Sequence, residues 1–327
     1  MILGENIDSV YSNGREIQRV YSLGKLVWEK KKNDDDVIDD YSLIPFTVQA
    51  VEDGVSVQLF GGYVRSGNVS KRSTINYKYS INGGGWIQTT SDNSVYLNQN
   101  DTMRIIGEDG YYCDIKGLSD IYGNIMSLRH GDEFNSEKSW YGDISSDGEV
   151  HSFGFFRLSN IRNAENLILP AVELGSYAYA SMFADSETLI AAPKILPATE
   201  LGQDCYYAMF YNCKKLTSAP KILPATKLRP ECYRSMFEGC TSLTTAPVLP
   251  ATLLMPNCYV AMFSKCTKLN YIKCKATGGT GGYEMDVYIG SWTSSVSPTG
   301  TLVCYKSFAD DLKPYIPSTW TVEYITE

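Results

Sequence analysis

The sequence predicts a mixed β and α/β repeat fold, in which an N-terminal β module and a β-sandwich are followed by a short solenoid with capping segments. A four-fold repeat is the main observation. The tripeptide Leu-Pro-Ala begins at Leu169, Leu196, Leu223 and Leu249. The pair Met-Phe follows in step at Met182, Met209, Met236 and Met262. Both series have spacings of 27, 27 and 26 residues, a period typical of stacked units that act through their surface.

Composition and charge limit the possible functions. The chain has 327 residues, 43% hydrophobic and 20% charged, which predicts two or three folded domains. Its formal charge is −8, but residues 169–275 hold 11 Lys/Arg and 7 Asp/Glu, a net of +4, which leaves −12 elsewhere. So mild a positive charge predicts no nucleic-acid binding. It could favour acidic glycans or an acidic protein surface, or it could only keep the repeats soluble.

The first 29 residues are expected to form a separate β-hairpin module. Ile7–Tyr11 and Ile17–Tyr21 are β-prone, Asn13-Gly14 is a hairpin turn signal, and 26–28 is a third apolar run. Three short strands bury little apolar surface, so we expect this module to dock on a partner or to oligomerise. Residues 30–40, a lysine block followed by aspartates, indicate a solvated linker.

Residues 41–115 are predicted to form the β-sandwich. Phe46–Val51, Val55–Phe60 and Asn76–Ile81 alternate between apolar and polar residues, as half-buried strands do. Glycine-rich and asparagine-rich turns separate them. Several short strands with such turns are typical of a sandwich.

Residues 116–275 are predicted to hold the repeats and their N-terminal cap, and residues 276–327 a C-terminal β cap. Within one repeat, five apolar residues have the offsets 0, 1, 4, 5 and 8, which predicts one face of a short helix. They are Cys232, Tyr233, Met236, Phe237 and Cys240. A brief extended segment then ends at Pro247. Each unit is therefore expected to contain a strand, a loop and a helix.

Six of the nine cysteines follow the repeat. They lie four residues before or after the methionine of the Met-Phe pair, at Cys205, Cys213, Cys232, Cys240, Cys258 and Cys266. Free cysteine packs as a small apolar residue, so thiols in the core are favoured over disulfides. The paired spacing and histidines of a zinc site are missing, and no metal or cofactor is predicted.

These repeat residues carry a family resemblance. Cys-Tyr-x-x-Met-Phe-x-x-Cys, followed by Leu-Thr-x-Ala-Pro and Leu-Pro-Ala-Thr, resembles the BspA-type leucine-rich repeats of anaerobic gut bacteria and their phages. Flanking segments such as Tyr79–Trp86, Ile121–Met126 and Pro317–Val322 are similar to those usual in that family, over most of residues 41–327. The resemblance implies a short leucine-rich-repeat solenoid and an adhesive or interaction protein, not an enzyme.

A second resemblance covers only residues 1–29. Ile7–Tyr21 followed by Leu26–Glu29 is similar to short β modules that open phage virion proteins, especially tail or head fibres. It implies a virion protein, assembled in the host cytoplasm, that binds other virion proteins through residues 1–29. No cationic, apolar secretion signal is expected around Glu5. The alternative is a bacterial cell-surface BspA-like adhesin whose leader has been removed.

Catalytic motifs are scarce in this sequence. His130 and His151 are the only histidines, and no nucleophile elbow, zinc-protease or phosphate-loop motif accompanies them. The acid pairs Asp132-Glu133 and Asp310-Asp311 suggest glycosidase carboxylates only weakly. No catalytic residue is therefore predicted, and a glycan depolymerase is the distant alternative.

Positions at which the repeats differ are the candidate ligand-binding residues. One phase reads Tyr207, Arg234 and Val260, a second Tyr211, Glu238 and Ser264, and a third Lys215, Ser242 and Lys268. Tyrosine and arginine are frequent contact residues, and variation on a fixed scaffold can carry specificity, although these positions could also be tolerated surface variation. The predicted binding residues are Tyr207, Tyr211, Lys215, Arg234 and Lys268. The predicted function is a non-catalytic, homo-oligomeric phage virion fibre-like protein that recognises a host surface glycan or protein and does not insert into membranes.

Overall fold

The computed structural model describes four short strands of the first 42 residues, and residues 43–326 apart from 61–62, 67–68, 73–74, 91–92, 109–111, 135–138, 141–155 and 157–158. The chain divides into two compact units, Met1–Asp40 and Tyr41–Glu327. In the first unit, β1 (Val10–Ser12) pairs with β2 (Arg15–Ile17), and β3 (Arg19–Ser22) pairs with β4 (Lys25–Glu29), both antiparallel. Ser12 lies opposite Arg15, and the predicted Asn13-Gly14 turn lies outside the described residues.

The second unit begins with ten strands of 3 to 6 residues. They are β5 (Thr47–Ala50), β6 (Val55–Phe60), β7 (Tyr63–Ser66), β8 (Val69–Arg72), β9 (Asn76–Ile81), β10 (Ile87–Thr90), β11 (Val95–Leu97), β12 (Thr102–Gly107), β13 (Tyr112–Lys116) and β14 (Ser119–Asn124). The strands β7 and β8 form a hairpin, and β11-β6-β13 form an antiparallel sheet. Buried and half-buried residues alternate along β6, because successive side chains on a strand point to opposite faces.

A seven-stranded sheet connects this region to the repeats. Its order is β10-β9-β12-β5-β14-β16, with β16 (Ile161–Asn163) and β17 (Leu167–Ile168) both parallel to β14. Apolar side chains of this sheet and of the β11-β6-β13 sheet belong to a core that continues into the repeats. Arg162 also donates two hydrogen bonds to the Asp120 carboxylate across the junction.

The remaining strands are short and parallel. They are β15 (Ser139–Trp140), β18 (Glu173–Leu174), β19 (Leu253–Leu254), β20 (Tyr271–Lys273), β21 (Gly278–Gly279), β22 (Thr301–Cys304) and β23 (Thr321–Tyr324). The pairs are β15 with β18 and β19 with β21, and β20-β22-β23 form the last sheet. Two α-helices are described, α1 (Asp286–Ile289) and α2 (Ala309–Leu312), besides 3-10 helices at Ile125–Leu128, Gly131–Glu133, Lys306–Phe308 and Lys313–Tyr315.

The predicted fold class is wrong. The described residues form mostly small β-sheets with few helices, a β-rich mixed structure, and not a mixed β and α/β repeat in which a β-sandwich precedes a leucine-rich-repeat solenoid. The part of each repeat expected to be helical is a run of turns. We call residues 177–186, 204–213, 231–240 and 257–266 the turn segments.

Backbone conformation explains why the turn segments are not helices. Every fourth residue has a positive φ, as at Asp204 (55°), Ala208 (52°) and Asn212 (57°), whereas an α-helix needs the right-handed conformation throughout. Backbone N–H groups alternate between two kinds of acceptor. Tyr207 donates to the carbonyl of Asp204 three residues earlier, and Ala208 donates to the carbonyl of Arg234 in the next unit. About half of the backbone hydrogen bonds that a turn segment donates therefore join it to the next unit.

Columns of identical side chains fill the space between the units. Five phenylalanines, from Phe156 to Phe263, stack with ring centroids 5.4 to 5.9 Å apart. The tyrosines at the third position of each turn segment form a second column, with ring centroids 5.5 to 6.1 Å apart. They are Tyr179, Tyr206, Tyr233 and Tyr259. All nine cysteines are buried with free thiols, and the Cys213 thiol donates to the Phe183 carbonyl of the preceding unit at 3.1 Å. Burial raises the pKa of the Cys232 thiol to about 12.

Candidate functional site

The structure places three of the five predicted binding residues on the outer side of the turn segments. Tyr207, Tyr211 and Arg234 are half-buried. Tyr207 and Arg234 occupy the same phase of adjacent units, and the hydrogen bond from Ala208 to the Arg234 carbonyl, 2.9 Å, keeps the two units in register. The structure therefore brings this pair together.

Lys215 and Lys268 are not brought together. Both are exposed and lie just after a turn segment, but they belong to units that are not neighbours, and Ser242 holds the same phase in the unit between them. One ligand can contact both lysines only if it extends over several units. No described salt bridge includes either lysine.

Arg234 is held in place by an acidic neighbour. Its Nη1 lies 2.8 Å from Oε2 of Glu231. This hydrogen bond raises the pKa of Arg234, burial partly opposes it, and the charge of Glu231 raises it further. A bidentate-capable guanidinium fixed beside a carboxylate presents its remaining donors in a defined direction.

Asp204, in the same turn segment as Tyr207, and Tyr177, in the preceding one, extend this group by one further unit. Burial raises the pKa of the Asp204 carboxyl, and the charge of Glu231 raises it further, whereas the hydrogen bond from Tyr177 lowers it. Tyr177, Asp204 and Glu231 share one phase, at which φ is positive (59°, 55° and 59°). We call Tyr177, Asp204, Tyr207, Glu231 and Arg234 the tyrosine-acid cluster.

Sequence reasoning missed Tyr177, Asp204 and Glu231. Three other phases at which the repeats differ were singled out from the sequence, and the expected helix begins at Cys232, one residue after Glu231. One signal could have found them. Their phase has a polar residue in every unit, with Asn257 in the fourth, and asparagine and aspartate tolerate the left-handed conformation better than most residues.

A second polar group lies one turn further along the turn segments. Lys265 Nζ is 2.8 Å from Glu238 Oε1, and Ser235 donates to the other carboxylate oxygen of Glu238 at 3.0 Å. The hydrogen bond to Glu238 raises the pKa of Lys265, and the nearby Tyr211 contributes to this shift. Exposed ion pairs of this kind add little stability, so their effect is to fix which groups face outward around Tyr211.

The Asp204→Asn variant should be more thermostable than the unmutated chain at pH 7. The pKa of Asp204 in the folded chain lies above its ordinary value of 3.8. The free energy of unfolding therefore falls as the pH rises from the unfolded-state pKa to the folded-state pKa, and the full loss of stability is present at neutral pH. Asparagine carries no charge and suits a positive φ, as Asn257 shows with φ of 57°. Thermal unfolding followed by circular dichroism at several pH values measures the difference.

The gain from Asp204→Asn should disappear as the pH is lowered below about 4, where aspartate is protonated in the unfolded chain as well. Asp185→Asn is the matched control, since Asp185 also has a positive φ (61°) but is more exposed. A gain of the same size in both variants, or one independent of pH, would contradict the role of burial.

The described residues include no group of three or more His, Cys, Asp or Glu side chains that could hold a metal ion. His130 belongs to a β-bridge with Glu108, and His151 lies outside the described residues. Within the described part of the chain no helix is long and apolar enough to cross a membrane. Comparisons of the chain with models of known protein families, with curated protein sequences and with solved structures found no match.

Proposed function

We propose that this chain is a non-catalytic, fibre-like structural protein of a phage virion that presents the outer side of its repeat units to a host surface glycan or protein. The observation that carries this proposal is the contrast between a constant interior and a variable exterior. The phenylalanine and tyrosine columns repeat without change, whereas the exposed sides of Tyr207, Arg234 and Val260 differ at one phase. The resemblance of residues 1–29 to virion modules supports attachment to other virion proteins.

The chemistry of the tyrosine-acid cluster suits a hydroxyl-rich or mixed polar ligand. Tyr207 offers an aromatic face, Arg234 offers fixed donors, and the half-buried Glu231 carboxylate offers acceptors. Tyrosine supplies a large contact area with few flexible bonds, and arginine is a frequent central contact residue. The two backbones that carry them are hydrogen-bonded to each other, so little conformational freedom is lost on binding.

Mass spectrometry of purified phage particles tests the location. We expect the chain among the structural proteins, and we expect a version that lacks residues 1–29 to be missing from particles. Detection of the full chain on bacterial envelopes, together with its absence from particles, would favour a BspA-like cell-surface adhesin. Normal incorporation of the shortened chain would show that residues 1–29 are not the attachment module.

Tyr207→Ala and Arg234→Ala should each weaken binding of the purified chain to host cells by about tenfold or more, since each removes a central contact of the kind that dominates interfaces. Flow cytometry with fluorescently labelled protein measures the apparent dissociation constant. Val260→Ala, a truncation at the same phase, is the matched control and should bind as the unmutated chain does. Unchanged binding by both test variants would place recognition elsewhere.

A further inference from the structure

A second face of the repeat units is apolar, and it lies away from the turn segments. Around each Leu-Pro-Ala leucine, buried and outward residues alternate along the extended chain. In one unit, Leu196 and Ala198 are buried, Ile195 and Thr199 are exposed, and Pro197 is partly exposed. The same pattern recurs in the other units. We call the outward residues of 168–173, 195–200, 222–227 and 248–253 the apolar face.

The apolar face exposes several large aliphatic side chains to solvent. Four of its large aliphatic side chains are exposed, by 44% to 69% of their surface. They are Val172 (44%), Ile195 (69%), Ile222 (47%) and Leu253 (54%). Parallel bridges between Ile222 and Val248 and between Lys227 and Leu253 keep the extended segments in register, so Ile195 and Ile222 share one column, whereas Val172 and Leu253 belong to two other columns. Contiguous exposed apolar patches mark binding sites on soluble proteins.

Charges at the edge of the apolar face change sign at its centre. Bridges join Glu173 to Glu200 and Lys227 to Leu253, so one column reads, in unit order, acidic, acidic, basic and apolar. No described residue forms an ion pair with Glu200 or with Lys227. Two opposite charges of adjacent units therefore lie on either side of the midpoint between Ile195 and Ile222.

We propose that the apolar face binds a second copy of this chain in an antiparallel, two-fold symmetric dimer. The two-fold axis of this dimer lies in the interface and is perpendicular to the direction in which the units stack. Rotation about it reverses the order of the units in the second copy, so each column faces the same column of that copy. Ile195 then faces Ile222 of the second copy, and Glu200 faces Lys227 of the second copy. Each contact occurs twice. This arrangement covers the two central isoleucines and gives both unpaired charges a partner of opposite sign.

One pair of like charges must be accommodated in this dimer. Lys194 and Lys221 share the phase next to the isoleucines, so they face each other across the axis. Lys194 already lies 3.3 Å from Oε1 of Glu165 and donates to Asn166, which offsets its charge. In a parallel dimer, equivalent units of the two copies would instead lie at the same level. Glu200 would then approach the acidic end of the second copy, where Glu173 and Glu200 lie, and Lys227 would have no acidic partner at its own phase.

The proposal is tested by charge reversal on the full chain, followed by sedimentation velocity over a range of concentrations. Glu200→Lys and Lys227→Glu should each raise the dimer dissociation constant by about tenfold or more, because each replaces two attractive contacts with repulsive ones. The double variant Glu200→Lys/Lys227→Glu restores both opposite-charge contacts in the exchanged sense. It should dimerise nearly as well as the unmutated chain.

Ile222→Lys should also disrupt the dimer, and Ile190→Lys is its matched control. Ile190 is exposed to a similar extent, 44%, but it lies outside the apolar face. The proposal fails if the unmutated chain is monomeric at every concentration. It also fails if the single charge variants associate normally, which would show an interface elsewhere, or if the double variant is no better than the singles. None of these outcomes depends on whether the chain belongs to a virion.

Discussion

Replacing Phe210 with alanine is expected to lower the free energy of unfolding by about 3–5 kcal/mol, the range for removing a fully buried phenylalanine. Its ring is fully buried and stacks on two neighbours, with centroids 5.4 Å from both Phe183 and Phe237. The cavity is therefore bounded by two rings that hydrogen-bonded backbones hold apart, so it cannot close easily. Urea denaturation followed by tryptophan fluorescence measures the loss.

The matched control for Phe210→Ala is Tyr207→Ala in the same turn segment. Tyr207 is half-buried on the outer side, and we expect its truncation to cost less than about 1.5 kcal/mol, the central range for single substitutions. Equal losses in the two variants would mean that the phenylalanine column does not hold the units together.

Replacing Ala208 with proline is expected to cost about 3 kcal/mol or more. Ala208 has a φ of 52°, whereas the proline ring requires a φ near −65°. Proline also removes the N–H group that donates to the Arg234 carbonyl at 2.9 Å. One substitution therefore breaks both the turn and a hydrogen bond between units, and the thermal midpoint should fall accordingly.

Ala208→Gly separates the two effects. Glycine accepts a positive φ without strain, so this variant should be as stable as the unmutated chain or more stable by up to about 1 kcal/mol. The same thermal unfolding experiment measures both variants. A glycine variant clearly less stable than alanine, or a proline variant of normal stability, would contradict the left-handed conformation at this position.

The sequence predicts which residues form the interior of the repeats. The Leu-Pro-Ala leucines and the Met-Phe pairs are buried in every unit, because a fixed period in a stack brings equivalent side chains into equivalent environments. The helix prediction failed because offsets of 0, 1, 4, 5 and 8 also fit a chain that turns every four residues. The residues with positive φ are the missed signal. Gly239 is one, and a Cβ there would lie 2.4 Å from Oδ1 of Asn212.

The placement of Tyr207 beside Arg234 follows from the sequence, since a shared phase decides which side chains of neighbouring units meet. Their role in binding stays a prediction. A shared phase does not show which side chains of different phases meet. The ion pair between Glu231 and Arg234 joins two different phases. The expected helix begins at Cys232, one residue after Glu231, so the left-handed conformation of that phase, and with it the acidic part of the cluster, was not predicted.

The end of the phenylalanine column has a consequence for how this molecule can change in length. The rings from Phe183 to Phe263 are tilted by 7° to 13° relative to each other, but Trp292 is tilted by 51° to Phe263. An in-frame duplication of a middle unit finds matching layers on both sides, whereas one added after Phe263 meets a ring that does not continue the column. Evolution can therefore lengthen this chain from within, and each inserted layer brings its own outward residues to the surface.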